Sequence, residues 1–191
     1  RDELPRALAG LEAALAAPGL TVKLNCVPLA ANEDQWVPLA ALARDRDLAV
    51  RFIELMPIGL GRGLPGRSEA QVLAKLEAAF GPLRPLEAPP GGPARYGTFP
   101  GFQGRVGFIS AMTHPFCAAC DRVRLTASGF LKTCLQYQTG VDLRALLEAG
   151  AGDSALRAAI LEAVRQKPAC HHFGGAPAPG DEGHTMNQIG G

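Results

Sequence analysis

The sequence carries almost no charge bias: 19 Lys and Arg residues stand against 18 Asp and Glu residues in 191. A chain that favours neither sign gives no support to a general role on nucleic acid or at an anionic membrane surface. It has no apolar run of about 18 residues and no basic-then-apolar leader ending in a cleavage site. Nothing in it therefore reads as a transmembrane helix or an export signal. Cysteine is scarce, five in all, and Cys117, Cys120 and Cys134 crowd into one stretch. That clustering fits a reducing compartment and a metal better than a disulfide framework, so the expected setting is cytoplasmic. What is present is a 47% hydrophobic composition in a chain long enough to bury a core.

The chemistry concentrates between residues 116 and 135. Cys117 and Cys120 stand three apart, so one tight turn can aim both sulfurs at a single centre. From Arg122 to Thr126 polar and apolar residues alternate like a strand. Ala127-Ser128-Gly129 then supplies a short loop whose glycine tolerates a positive φ, and 130–135 returns to deliver Cys134. Three thiolates leave a coordination position open, the logic of a catalytic rather than a structural centre. Arg122, Arg124 and Lys132 lie in the same hairpin, and two guanidiniums on one strand face would hold phosphate or carboxylate bidentately. From spacing alone a zinc ribbon stays open, with His114, Cys170, His171 or His172 as fourth ligand. The arginines alone could be a solvated face.

Taken in order, the chain starts at Arg1 rather than Met, inside a helical pattern over 3–16 that stops at Pro18-Gly19; the expectation is that a longer protein precedes it. Strands are expected over 21–27 and 48–56, joined by a helix that Asn32 and Gln35 cap and that runs to about 46. This is a β-α-β unit with parallel strands. Parallel strands are normally covered on both faces, which makes Lys23, Asn25 and Arg51 informative. They face a wet, anion-holding lumen, or lie on exposed edges, or Arg51 pairs with Glu54 or Asp47. Gly61, Gly63 and Gly66 have G-x-G-x-x-G spacing but no acidic partner in a proper unit, and read as a surface loop. Ser68 and Gln71 open a capped helix that stops at Gly81-Pro82. Residues 82–102, rich in Pro and Gly, read as a linker, with a boundary dividing 1–81 from 82–191. A strand over 105–112 leads into the hairpin. Helices follow over 141–148 and 153–166, the second capped by Asp153 and stopped by Pro168. Residues 174–191 lack the apolar content for a core.

Three separated motifs in one order carry a family resemblance: Arg51-Phe-Ile-Glu-Leu-Met-Pro57, the stretch from Phe116 to Leu135, and Asn187-Gln-Ile-Gly-Gly191. Together they resemble the C-terminal portion of the molybdenum cofactor biosynthesis protein A family, the radical S-adenosylmethionine GTP 3',8-cyclases. The resemblance implies an α/β fold: residues 1–81 as part of a radical-SAM TIM-type barrel, and 82–191 as a cluster- and GTP-binding subdomain with an antiparallel hairpin and helices. It implies that Cys117, Cys120 and Cys134 hold a [4Fe-4S] cluster whose fourth iron meets the guanine, and that Lys23, Arg51, Arg122 and Arg124 hold GTP. It further implies that Met56 contacts S-adenosylmethionine and that Gly190-Gly191 reach into the active site and are needed for activity. A side-chain-free tail can enter a narrow cavity.

In that family an N-terminal C-x3-C-x2-C motif binds a second [4Fe-4S] cluster, which reduces S-adenosylmethionine to start the ribose chemistry that converts GTP to its 3',8-cyclised product. No such spacing exists here. The chain is therefore expected to bind a cluster and GTP without turning over by itself. The partners so implied are GTP, the N-terminal part of the same enzyme, cyclic pyranopterin monophosphate synthase as the next enzyme, and a second copy of the chain. The rival readings are a zinc-binding structural or nucleotide-binding module without redox chemistry, and a docking domain whose basic residues meet a protein.

Overall fold

The computed structural model describes residues 3–87, 92–175 and 178–189. Its α/β chain divides into two compact units, 1–55 with 65–113, and 56–64 with 114–191. The boundary expected at 81/82 falls inside the first of them.

The first unit is a five-stranded mixed sheet with helices. Its elements are α1 (Leu4–Ala16), β1 (Val22–Cys26), α2 (Trp36–Ala41), β2 (Leu48–Ile53), α3 (Glu69–Phe80), β3 (Arg84–Leu86), β4 (Arg95–Thr98) and β5 (Arg105–Ile109). The strand order is β1-β2-β5-β4-β3. β1, β2 and β5 run parallel, and β4 and β3 add an antiparallel edge. The expected parallel pair is present. The expected linker over 82–102 is corrected: it contains β3 and β4, because Pro85 lies in the outermost strand, where its missing N–H removes no needed ladder bond.

Leu48, Val50 and Phe52 of β2 and Val106 and Phe108 of β5 share a face and pack with Leu11, Trp36, Val72, Leu76 and Phe99. α3 begins as its sequence dictates. Ser68 accepts a bond from the Gln71 N–H, and Gln71 Oε1 accepts one from the Ser68 N–H at 2.9 Å. The helix ends at Gly81, φ +86°. The helix expected from Asn32 is shorter. Asn32 instead faces back, its Oδ1 accepting the Leu29 N–H and the Trp36 indole N–H, each at 2.9 Å. A 3-10 segment, Ala30–Gln35, takes the first turns and α2 only the last.

In the second unit β6 (Arg124–Leu125), β7 (Phe130–Lys132) and β8 (Gly140–Asp142) form an antiparallel sheet, followed by α4 (Leu143–Glu148) and α5 (Asp153–Arg165). Asp142, not a residue expected for the role, caps α4 by accepting the Ala145 N–H at 2.9 Å. Gly152 is the N-cap of α5, and Asp153 lies in its first turn. The tail does contribute to packing: Ile189 is 2% exposed, as is Glu182. No helix among the described residues is long and apolar enough to cross a membrane.

Candidate functional site

In the first unit, strand alternation and register place a row of cations on the sheet face turned away from the core. Asn25 stands opposite Arg51, and Arg51 opposite Gly107. Arg51 Nε donates to Asn25 Oδ1 at 2.9 Å; Glu54, considered as its partner, is engaged elsewhere. The Glu54 carboxylate accepts the N–H groups of Glu69 (3.1 Å), Met112 (2.9 Å) and Thr113 (2.9 Å) and the Thr113 hydroxyl (2.6 Å). Burial alone would raise its pKa, but those bonds outweigh it and hold Glu54 below the usual range. Lys23 is exposed on the same strand face as Asn25. Arg105 lies over the Tyr96 ring at 5.3 Å, and Gly107 is what lets that ring lie flat: a Cβ there would sit 2.7 Å from it. Such a face suits an anion.

In the second unit Cys117 and Cys120 lie on one 3-10 turn, closed by the Cys120 N–H donating to the Cys117 carbonyl at 3.1 Å. The hairpin expected to return Cys134 forms, with Arg124 opposite Lys132 and Gly129 at φ +84° in the loop. It is shorter than expected. β6 holds only two residues, so Arg122 lies outside it, exposed beside Asp121 at 3.3 Å. Burial pulls the Arg124 guanidinium below its ordinary value and Arg122 adds to this, while the sulfurs of Cys120 and Cys134 are near enough to oppose it. Lys132, the third basic residue of the hairpin, is buried in an ion pair with Glu182, which also accepts from His184.

All five cysteines are free, and Cys117, Cys120 and Cys134 are half-buried. Among the described residues no group of three or more His, Cys, Asp or Glu is placed to hold a metal ion. A tetrahedral zinc with bonds of about 2.3 Å would need its sulfurs drawn to within about 4 Å of one another; an iron–sulfur cluster spreads its ligands over several metal atoms. Three thiols set in a cationic neighbourhood fit the donor chemistry of such a cluster, and Lys167 Nζ donates to Cys120 Sγ at 3.4 Å.

Residues 48–173 match the family of the Molybdenum Cofactor Synthesis C domain. The chain belongs to that family. It is 45% identical over 172 residues to the GTP 3',8-cyclase of Pelotomaculum thermopropionicum, covering 86% of this chain and 52% of the relative. It is 43% identical over 187 residues to that of Heliobacterium modesticaldum, covering 95% and 57%, and 42% identical over 179 residues to that of Ectopseudomonas mendocina, covering 91% and 54%. The chain spans about half the length of these relatives.

Of the other residues the Molybdenum Cofactor Synthesis C resemblance singles out, Met56 is half-buried and its carbonyl accepts the Ile58 N–H at 2.8 Å. Gly190 and Gly191 lie outside the described residues, but Met186–Gln188 before them form a 3-10 turn capped by Thr185, and buried Ile189 anchors it. Sequence reasoning missed a polar chain in this unit. Tyr137 Oη pairs with His172 Nδ1 at 2.8 Å, and His172 Nε2 with the Asp181 carboxylate at 3.1 Å. Burial pushes the Tyr137 phenol up, and Cys170, Cys134, Asp181 and Cys117 push it the same way. Cys170-His171-His172 was considered only for metal; the pairing with Tyr137 crosses a separation that no local pattern signals.

Proposed function

We propose that this chain is the substrate-holding portion of a GTP 3',8-cyclase of molybdenum cofactor biosynthesis. The observation that carries it is one unit in which Cys117-x-x-Cys120 sits on a single turn, with Cys134 returned by the hairpin and Arg124 close to the sulfurs of Cys120 and Cys134. The name the relatives bear supports the same reading. Cys117, Cys120 and Cys134 would hold a [4Fe-4S] cluster, which when bound supplies an iron free of protein sulfur as a Lewis-acid position for the guanine.

Arg122 and Arg124 provide charge-assisted, fork-shaped contacts to anionic groups of GTP, and Lys23 and Arg51 provide the same chemistry from the sheet face. The hydrogen bond from Arg51 to Asn25 orients the guanidinium before a ligand arrives, so less rotamer entropy is lost on binding. Met56 contacts S-adenosylmethionine, and Gly190-Gly191 enter the active site as a tail without side chains. The C-x3-C-x2-C cluster and the reductive chemistry on S-adenosylmethionine come from the part of the relatives that this chain does not span. Holding GTP rigidly is what keeps such reactive chemistry on one bond.

The test is metal and sulfide analysis after anaerobic purification or reconstitution. The expected result is about four iron and four sulfide per chain, lost in Cys117→Ser, Cys120→Ser and Cys134→Ser and kept in Cys26→Ser. About one zinc per chain and no sulfide overturns the reading in favour of a structural zinc module. GTP binding should weaken about tenfold to hundredfold in Arg122→Ala and in Arg124→Ala, the loss of one charge-assisted hydrogen-bonded contact; binding unchanged in both favours a docking role for these residues. Incubated with reductant, S-adenosylmethionine and GTP, the chain should form no cyclised product.

A further inference from the structure

We infer that Lys167 is a positioning residue for the three-cysteine site: it fixes Cys120 and the start of the arginine-bearing hairpin together, and sets the reduction potential of the cluster held there. This rests on the cluster reading of Cys117, Cys120 and Cys134. The argument begins at the end of α5. The last helical residue is Arg165, the Lys167 N–H still donates to the Val164 carbonyl at 3.2 Å, and Pro168 follows, which cannot continue the helix. The backbone of Lys167 is thus held by the helix end, which fixes where its four-carbon stem starts.

Its ammonium lands between two groups of the cysteine loop. Nζ donates to the Arg122 carbonyl at 2.6 Å and to Cys120 Sγ at 3.4 Å. Two of three donors are spent on one short segment, Cys120 to Arg122, which joins the 3-10 turn to β6. Arg122 lies outside the strand ladder, so the bond to its carbonyl supplies a restraint that strand pairing does not. The ammonium's three donors on a flexible stem are enough to serve a sulfur and a carbonyl together.

The consequence for a cluster is electrostatic. A donor and a positive charge at a ligating sulfur stabilise the more negative, reduced state, which raises the potential. The same contact orients the sulfur before the cluster is assembled.

Lys167→Met keeps the stem and removes charge and donors. In the full 191-residue chain, reconstituted anaerobically and titrated with dithionite, which supplies the one electron that reduces the cluster, Lys167→Met should still contain iron and sulfide at wild-type ratio. Its midpoint should shift negative by about 59 mV, a tenfold change in a one-electron equilibrium. Lys167→Arg, which keeps the charge, should recover part of that shift. Iron and sulfide at wild-type level with an unchanged midpoint overturns the inference while leaving the cluster reading intact. Wild-type chain that takes up no iron and sulfide overturns the cluster reading, and this inference with it. If Lys167→Met does not fold, judged by the melting of the metal-free chain, Lys167→Gln decides. A midpoint below wild type supports the role of the charge, and a wild-type midpoint overturns it.

Discussion

The first unit buries Trp36, Phe52, Phe99, Val50 and Leu76 almost completely, and among its described residues only Glu54 and Ser110 bring polar side chains in with its core; the second buries Ile58, Leu131, Ala163 and Ile189, and beside them Lys132, Thr133, Gln136 and Glu182. One closes on apolar contact, the other largely on hydrogen bonds and the buried Lys132–Glu182 ion pair. A unit with so thin an apolar core gains most from a bound metal group, because ligation free energy adds directly to folding. The difference also explains where reactive groups sit: polar interiors bring sulfurs, phenols and imidazoles within reach of each other, whereas the sheet holds its cations on an open face.

The largest expected effect tests the polar interior. Lys132→Met leaves the Glu182 carboxylate buried without its ammonium, and breaking such a pair costs about 3–5 kcal/mol. Hydrogen exchange of the amides between 130 and 142 should show the loss. A change below about 1 kcal/mol would mean that His184, which donates its N–H to the same carboxylate at 2.8 Å, carries the interaction, and the comparison drawn above would weaken.

Next comes the apolar interior. Leu76→Ala empties a fully buried position on α3 and should cost about 3 kcal/mol. Trp36, the chain's one tryptophan, is buried in the same core, so its fluorescence reports the melting of the first unit. A shift confined to the amides of the second unit would overturn the assignment of Leu76 to this core.

Smaller, and specific to the second unit, is a pH dependence. Burial would raise the Glu182 carboxyl, yet the bonds from Lys132 and His184 prevail and hold it below its ordinary value. A lowered folded-state pKa contributes stability at pH above the ordinary carboxylate range, and that contribution is lost as pH falls through the folded value. Acid titration of protection at 130–142 should therefore show loss as the pH falls through the ordinary carboxylate range toward the lower folded-state value, and Glu182→Gln should flatten it. An unflattened profile would transfer the effect to Asp181, whose carboxyl the Ala178 N–H holds down with help from His172.

How much could be read from the chain follows from the range of each interaction. The turn at Cys117 and Cys120, the glycine loop at Gly129 and the boundaries of α3 were legible because each depends on residues a few positions apart; the β1–β2 parallel pair was legible because a strand-helix-strand order dictates it although its partners are 26 residues apart. What was not legible depends on partners far along the chain. Lys132 reads only as a third basic residue of the hairpin until Glu182, fifty residues on, is brought to it. β3 and β4 were hidden because Pro85 and Gly97, the residues that argue against a strand, face each other at the sheet edge, where neither is penalised; a Cβ on Gly97 would lie 2.6 Å from Leu83. Asn32 was misread by one hydrogen bond, since the indole of Trp36 competes for the oxygen that would cap a helix. Lys167 followed a helix end and carried no local signal at all.

The smallest effect tests the most legible element. Ser68 accepts the Gln71 N–H, and Gln71 answers the Ser68 N–H, the reciprocal arrangement that satisfies two donors at a helix start. Ser68→Ala removes one half and should lower stability by about 1 kcal/mol, read from the Trp36 midpoint. The Glu69 N–H, one residue on, is already taken by Glu54 at 3.1 Å, so the helix start has a second anchor inside the unit. If Ser68→Ala proves silent, that carboxylate rather than the serine fixes where α3 begins, and Glu54→Gln, which weakens its hold on the Glu69 and Thr113 amides, should then produce the loss that the cap mutation did not.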